Sequence, residues 1–284
     1  LKELRSISQC VHISDFKGKR VAIDAHCWLH RGAYSCSKEL ALGEKTDKYI
    51  SFFIGMVNLL KANGVEAILV VFDGIALPCK GDTKLSRSSS RKLQLDRAIK
   101  ASESGNSKEA QSHYQQSITI TFEMVLGLID ALQACNVHFM VSPYEADAQL
   151  AFLSKQNIVD LVITEDSDAV VYGCKNILYK LDKEGRVDLI QREHLPLNSP
   201  MKFVNWSSEQ FILFACLAGC DYLPGLRGLG IKSAYKIVST CTTISRVLDH
   251  LSSNPSVSSY QGGCFAERLN MAVLTYQYQT VYNP

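Results

Sequence analysis

Short runs of Val, Ile and Leu recur along this chain, and an acidic residue repeatedly closes the run: Asp24 after VAI, Asp73 after ILVVF, Glu145 and Asp147 in VSPYEADAQL, Asp166 and Asp168 in LVITEDSD, and Asp221 in LAGCDYLPG. Strands buried on both faces read as nearly continuous apolar runs, and the sheets they build are mostly parallel with helices on either side. An acid that follows such a strand has left the core for the strand's carboxyl end, the side of an α/β sheet where ligands gather. Several strands delivering one acid each therefore converge on a point. Strands are expected over 20–23, 67–72, 137–141, 161–164 and 176–181, with amphipathic helices between them, which predicts an α/β fold with a mostly parallel central sheet flanked by helices. Lys183-Glu184-Gly185, in the middle of 176–189, predicts a terminal hairpin, and Pro196 to Pro200 a connection. Ser207 with Gln210 forms a capping box and Trp206 with Phe211 a staple, opening a helix over 208–219. The chain thus divides into an α/β unit, 1–203, and a helical region, 204–284.

Clustered carboxylates repel one another unless cations lie between them. Hard oxygen donors without a Cys/His set select Mg2+, or Mn2+ in its place, over Zn2+. Two such ions about 4 Å apart are the usual device for displacing a phosphodiester oxygen. Each acid also has a structural alternative. Asp24 at a strand end fits a helix cap, Asp73-Gly74 a turn, and Glu145 and Asp147, following Pro143, a helix first turn whose dipole favours acids. Asp166-Ser167-Asp168, two acids one residue apart directly after LVIT, is able to straddle a cation from a strand-to-helix turn. Caps do not require acids at so many separate run ends, and a metal site does.

With 284 residues, 46% of them hydrophobic, the chain can bury a sizeable core. A net charge of +2 and a pI near 8.0 are too mild to attract nucleic acid by the overall field, so any affinity for phosphate must come from local clusters. The ten cysteines are scattered through a large chain, which fits free thiols in a reducing compartment. The longest apolar stretch, 211–217, is far short of the roughly 20 residues of a membrane span, so no membrane partner is expected.

One local cluster lies within a segment at about 78–117. Between 80 and 100 stand Lys80, Lys84, Arg87, Arg91, Lys92, Arg97 and Lys100 against Asp82 and Asp96, with few large apolar residues, so this segment is not expected to form core. Lys80, Lys84, Arg87 and Arg91 are spaced by 4, 3 and 4, which a helix would align on one face. Gly81 and Ser88 to Ser90 oppose that helix, the glycine by about 1 kcal/mol, so the segment is expected to be mobile alone and to order on phosphate. A second cluster is GLRGLGIKSA, from Gly225 to Ala234, where glycines ahead of an amphipathic helix let backbone amides approach a phosphate. It is not a nucleotide-binding P-loop, because Ile231 stands where that motif needs lysine.

Taken together, VAIDAHCWLH, VVFDG, SPYEADAQLAFL, ITEDSDAVVYG and GCDYLPGLRGLGIKSAYKIV resemble the structure-specific 5′ nucleases of the flap endonuclease superfamily, and CWLH, PYEADAQLA and LRGLG are most similar to its exonuclease 1 branch. The resemblance covers nearly the whole chain. It implies a PIN-like nuclease fold followed by a helix-two-turn-helix DNA-binding element. The implied activity is a 5′ to 3′ double-stranded DNA exonuclease with 5′ flap endonuclease activity, acting in nuclear DNA repair, mismatch repair included, and in recombination. The seven acids match the family's metal-site carboxylates for two Mg2+ ions. Lys80 and Arg87 match basic residues on an arch helix that approach the scissile phosphate, and Lys84 and Arg91 share that face. His30 matches a residue that stacks near the terminal base. Gly225, Arg227, Gly228, Gly230 and Lys232 lie in the part that matches a hairpin gripping the uncut strand, where the family also places K+. Implied partners are double-stranded DNA with 5′ ends, nicks, gaps or flaps, and repair proteins met through regions outside this chain.

The chain departs from the family at His26, where the branch usually has tyrosine, and at Ser88 to Ser90, which thin out the basic arch. It opens at Leu1 without the family's Met-Gly-Ile and stops at Pro284, where members continue, as expected of an N-terminal nuclease portion. A flap or junction endonuclease of the same superfamily would share the catalytic residues, and an inactive DNA-binding scaffold would not need the complete acidic set. A phosphatase with an aspartate nucleophile is disfavoured, because Asp24-Ala25-His26 lacks a second acid two positions on.

Overall fold

The computed structural model describes residues 2–253 and 263–284, and within them not the side chains of Lys2, Asp82 and Lys84. The elements in chain order begin with β1 (Gln9–His12), β2 (Arg20–Asp24), α1 (Ala25–Ala33), α2 (Ser37–Ala41), α3 (Lys48–Ala62) and β3 (Ala67–Phe72). Next come α4 (Gly81–Glu103), α5 (Ser107–Ser117), α6 (Phe122–Ala134), β4 (His138–Val141), α7 (Ala146–Lys155), β5 (Leu161–Ile163) and α8 (Asp168–Tyr172). The series closes with β6 (Asn176–Tyr179), β7 (Arg186–Gln191), α9 (Ser208–Ala218), α10 (Ile231–Thr240), α11 (Ile244–Ser252) and α12 (Gly263–Tyr278).

The strands form one sheet in the order β1-β7-β6-β5-β2-β3-β4. From β6 to β4 all neighbours are parallel, and β7 and β1 add an antiparallel edge. Side chains of successive residues leave opposite faces of a strand, and the two cores follow that period. Val21 and Ile23 of β2, Val70 and Phe72 of β3, and Leu161 and Ile163 of β5 join α1, α3 and α6 on one face. Ala22, Val71 and Val162 join α7, α8 and α9 on the other. The expected strands are all present, and the hairpin after β6 is real. Strand β1 was not expected, because QCVH is short and half exposed and so carries no apolar run.

The capping box at α9 is formed: Ser207 Oγ accepts from Gln210 N at 3.1 Å, and Gln210 Oε1 accepts from Ser207 N at 3.1 Å. The staple is corrected. Trp206 stacks on Tyr235, rings 5.3 Å apart, while Phe211 meets Phe203 at 5.0 Å. The helical region is not a separate core, since Phe211, Tyr222, Val238, Leu251 and Leu269 belong to the same buried cluster as Ala146 and Val170.

The basic segment is also corrected. It is helical, and it carries a small core of its own, in which Ala98 and Ala101 of α4 meet Ala110 and Tyr114 of α5. Gly81 is the first helical residue, where its backbone freedom costs less than at the helix centre, and Ser88 to Ser90 face solvent. Glu145, beyond β4, and Asp221, from the loop after α9, hold its basic end, as described next.

Candidate metal centre and nucleic-acid interface

Because β5, β2, β3 and β4 are adjacent and parallel, their carboxyl ends lie along one edge of the sheet. Asp24 ends β2, Asp73 follows β3, Glu145 follows β4 as the residue capping α7, Asp147 sits in the first turn of α7, and Asp166 follows β5. Asp221 arrives from the loop after α9. These six line a single cleft of about 800 Å3, together with His26, His30, Lys80, Arg87 and Arg91. Asp168 is outside that wall, with its Oδ2 accepting from Tyr276 Oη at 2.8 Å. It still belongs to the cluster electrostatically: burial, and then Asp166, push its carboxyl up to about 6.

Each carboxylate has a distinct environment. Asp24 is 7% exposed, and its Oδ1 caps α1 by accepting from His26 N at 3.0 Å and Cys27 N at 3.3 Å. Its Oδ2 accepts from Cys27 Sγ at 2.8 Å and Thr164 Oγ1 at 2.9 Å. The cap reading of Asp24 is thus correct alongside its place in the cluster, and its lone pairs are already engaged. Asp73 Oδ1 accepts from Ala146 N at 2.8 Å, so β3 caps the start of α7, and Asp73 Oδ2 lies 3.4 Å from His26 Nδ1. Gly74 permits this crossing, since a Cβ there would stand 1.9 Å from the Ser142 carbonyl oxygen. Asp147 is the most constrained. Its Oδ1 is buried without a hydrogen-bond partner, and burial, followed by Asp166, Asp24, Asp73 and Asp168, raises its pKa well above the ordinary carboxylate range. Burial, then Asp73, raises Asp24 as well.

Lys80, just ahead of α4, and Arg87 and Arg91 on it line the same cleft as the acids. Lys80 Nζ pairs with Glu145 and lies 3.0 Å from Asp221, and Arg87 Nη2 lies 2.7 Å from Asp221. Burial opposes the Lys80 charge, but Glu145 and Asp221 outweigh it and raise its pKa. His30 is driven down to about 4 by burial, then by Arg91, His26 and Arg87, so its ring is neutral near pH 7. The side chain of Lys84 lies outside the described residues.

Among the described residues, no three His, Cys, Asp or Glu side chains already stand in the geometry that encloses a metal ion. The carboxylates are spread along the cleft, with Lys80, Arg87 and backbone amides as their partners. The donor set nevertheless fits a hard divalent cation: all oxygen, mutually repelling, and including a buried Asp147 oxygen with no partner, which costs about 1–3 kcal/mol unless a cation or water takes it up.

Sequence reasoning missed the residues beneath these acids. Thr164 Oγ1 both donates to Asp24 and accepts from Asp166 N at 3.0 Å, tying two strand ends together. The pair Tyr172 and Tyr222 both donate to Glu145 Oε2. Glu165, Arg31 and Lys180 also line the cleft. Thr164 and Glu165 stood inside ITEDSD, and Tyr172 and Tyr222 inside ITEDSDAVVYG and GCDYLPG, but nothing local linked the two tyrosines to Glu145.

At the far end, residues 219–230 lead from α9 to α10. Leu226 and Leu229 are buried and Leu229 N donates to Leu226 O at 3.0 Å, which turns Arg227, Gly228, Gly230 and Lys232 outward. Gly228 has φ +88°, a conformation that favours glycine, and Gly225 packs against the Ala218 carbonyl. No side chain caps α10, so its first amides remain available to an anion.

Residues 1–94 match the XPG N-terminal domain, which takes in Asp24, Asp73, Lys80 and Arg87, and residues 136–221 match the XPG I-region, which takes in the other five acids. The chain is 40% identical to exonuclease 1 of Arabidopsis thaliana over 282 residues, covering 99% of this chain and 38% of that protein. It is 36% identical to exodeoxyribonuclease 1 of Saccharomyces cerevisiae over 286 residues, covering 100% and 40%. The chain belongs to the XPG family, in its exonuclease 1 branch. It spans about two-fifths of the length of these XPG-family relatives. The same fold appears in the catalytic core of Rad2 in complex with DNA substrate, at TM-score 0.71, 19% identity and coverage of 99% and 86%. Flap endonuclease-1 from Methanococcus jannaschii superposes at TM-score 0.64, with 24% identity and coverage of 95% and 81%.

Proposed function

We propose that this chain is a divalent-metal-dependent 5′ to 3′ double-stranded DNA exonuclease that also cleaves 5′ flaps, acting in DNA repair in the nucleus. The observation that carries the reading is a single cleft lined by six carboxylates and by Lys80, Arg87 and Arg91, where a phosphodiester would meet both metal ions and basic side chains. Membership of the exonuclease 1 branch supports the choice of substrate. Among the described residues no single helix is long and apolar enough to cross a membrane.

Asp147, Asp166, Asp73, Glu145, Asp168 and Asp221 would hold two Mg2+ ions, or Mn2+ in their place. Asp24, its oxygens already bonded, would contribute charge and order neighbouring groups. The chemistry such ions supply is acidification of water and stabilisation of charge on a leaving oxygen. Lys80, just ahead of α4, and Arg87 on it bear on the phosphate and neutralise charge gathering there, an interaction that counts once they are held in place beside it. His30, uncharged, offers a ring face and a hydrogen bond to the terminal nucleotide. Bases in a duplex do not reach the sheet edge, so the end nucleotides must unpair at a cost of a few kcal/mol. Gly228, Gly230 and the first amides of α10 would grip the backbone of the duplex, with Arg227 and Lys232 beside them, and the backbone oxygens of this turn would be the groups able to hold K+.

The test is a time course on end-labelled duplex and flap DNA in Mg2+ or EDTA. Mononucleotides from the 5′ end, released only with Mg2+, support the exonuclease reading. Oligonucleotides alone would make the chain a flap endonuclease, and DNA binding without any Mg2+-dependent cleavage would make it a scaffold.

A further inference from the structure

The end of the chain returns to the acidic cleft. Gln279, just after α12, meets Glu145 twice: its Oε1 accepts from Glu145 N at 3.1 Å and its Nε2 lies 3.2 Å from Glu145 Oε2. The same amide lies 2.9 Å from Tyr172 Oη. Three residues earlier, Tyr276 Oη donates to Asp168 Oδ2 at 2.8 Å, with its ring 4.8 Å from those of both Tyr172 and Tyr222. Three residues later, the backbone of Tyr282 is fixed to α7. Its N–H donates to Gln149 Oε1 at 2.7 Å and its carbonyl accepts from Gln149 Nε2 at 2.8 Å. Gln149 is fully buried, and both arms of its amide are used on this one residue.

We propose that Tyr276 and Gln279 are positioning residues of the metal centre, holding Asp168 and Glu145 in the orientation in which they take up cations, with Gln149 fixing the register of the tail; this rests on the metal-dependent reading above. Three features separate this role from ordinary packing. The contacts are made to the carboxylates themselves. They come from a segment far from either acid in sequence. The backbone and side chain of Glu145 are both held by one amide, which fixes the side chain relative to the start of α7. Groups that orient metal ligands through hydrogen bonds are worth about 10–100-fold in metal affinity or activity. Since α12 also packs on α9, the helix that leads into the glycine hairpin, the helical region supports the reactive acids as well as the duplex.

The test is a Mg2+ titration of the cleavage rate, with Mn2+ binding measured separately by calorimetry without DNA, on the whole chain carrying Gln279→Ala, Tyr276→Phe or Gln149→Ala. Gln279→Ala is expected to raise the Mg2+ needed for half-maximal rate by about tenfold. It should weaken Mn2+ binding by the same factor, and recover most of the maximal rate at high Mg2+. Tyr276→Phe should move the same way, and Gln149→Ala by a smaller factor. Duplex affinity in EDTA should not move. An unchanged metal dependence in Gln279→Ala, melting like the unsubstituted protein in EDTA, overturns the proposal. So does a rate loss that no Mg2+ concentration restores while Mn2+ binding stays intact. If Tyr276→Phe does not fold, Gln279→Ala, which removes only a half-buried amide, decides. Failure of the unsubstituted chain to bind Mn2+ or to cleave would instead strike the metal-dependent reading itself.

Discussion

Asp168→Asn is expected to stabilise the metal-free protein while abolishing its metal-dependent function. Burial and the neighbouring Asp166 lift the Asp168 carboxyl from 3.8 to about 6, a difference that corresponds to about 3 kcal/mol. Asp168 is only half-buried, so solvent screening reduces this to about 1–2 kcal/mol. Asparagine removes the charge and keeps an oxygen that can accept from Tyr276. At about 2.1 cal/mol/K per residue over 284 residues, the gain appears as a rise in Tm of about 2–3 °C in EDTA at pH 7.5. The sign follows from linkage. The folded-state pKa exceeds the unfolded one, so the penalty of the charged acid is complete above pH 6 and fades as the pH falls from about 6 to 3.8. The difference between the variant and the unsubstituted protein should therefore close across that window. With Mg2+ present the order should reverse, because the unsubstituted protein gains binding energy, about 2.7 kcal/mol at a hundred times Kd, that the variant has lost. Calorimetric melting at several pH values, with and without Mg2+, provides the measurement. A lower Tm for Asp168→Asn in EDTA at pH 7.5, or a difference independent of pH, would refute an electrostatically strained acidic cluster.

Lys80→Ala should tighten Mg2+ binding in the absence of DNA, since Lys80 competes for Glu145 and Asp221, and yet slow single-turnover cleavage by about 10²-fold or more. Calorimetry and quench-flow read the two effects, and movement of both in the same direction would contradict the assignment. Arg87→Ala should reduce the single-turnover rate far more than duplex affinity, whereas equal losses would make α4 an ordinary binding surface. Amide exchange along α4 should be graded, fast near Gly81 and slow near Ala98 and Ala101, where α5 covers it; uniform protection from 81 to 103 in the free protein would exclude ordering of the basic end by substrate. Gly230→Ala should fold normally, since nothing lies within 4 Å of the added Cβ, and bind duplex more weakly; Gly228→Ala, at φ +88°, should also lose about 1–2 kcal/mol of stability. Unchanged duplex affinity in both would remove the hairpin from the interface.

What the sequence by itself determined was the part written in local pattern. Apolar runs fixed the five parallel strands, because a strand covered on both faces must be apolar throughout, and the acid after each run fixed which end of the sheet is reactive. The capping box and the glycine spacing likewise depend only on neighbours in the chain. Strand β1 was invisible because pairing to β7, and not its own composition, makes it a strand. The helix of the basic segment was underestimated because small residues, Ala98, Ala101 and Ala110, read as weak core formers until α5 folds back on them. Only the tertiary structure decided the state of each acid. Asp24 is saturated by Cys27 and Thr164, Asp147 is left with an oxygen unpartnered, Lys80 sits between Glu145 and Asp221, and Gln279 reaches Glu145 across 134 positions. A carboxylate's charge and orientation depend on what lies within a few ångströms of its oxygens, and in this chain those neighbours come from segments that no local pattern connects.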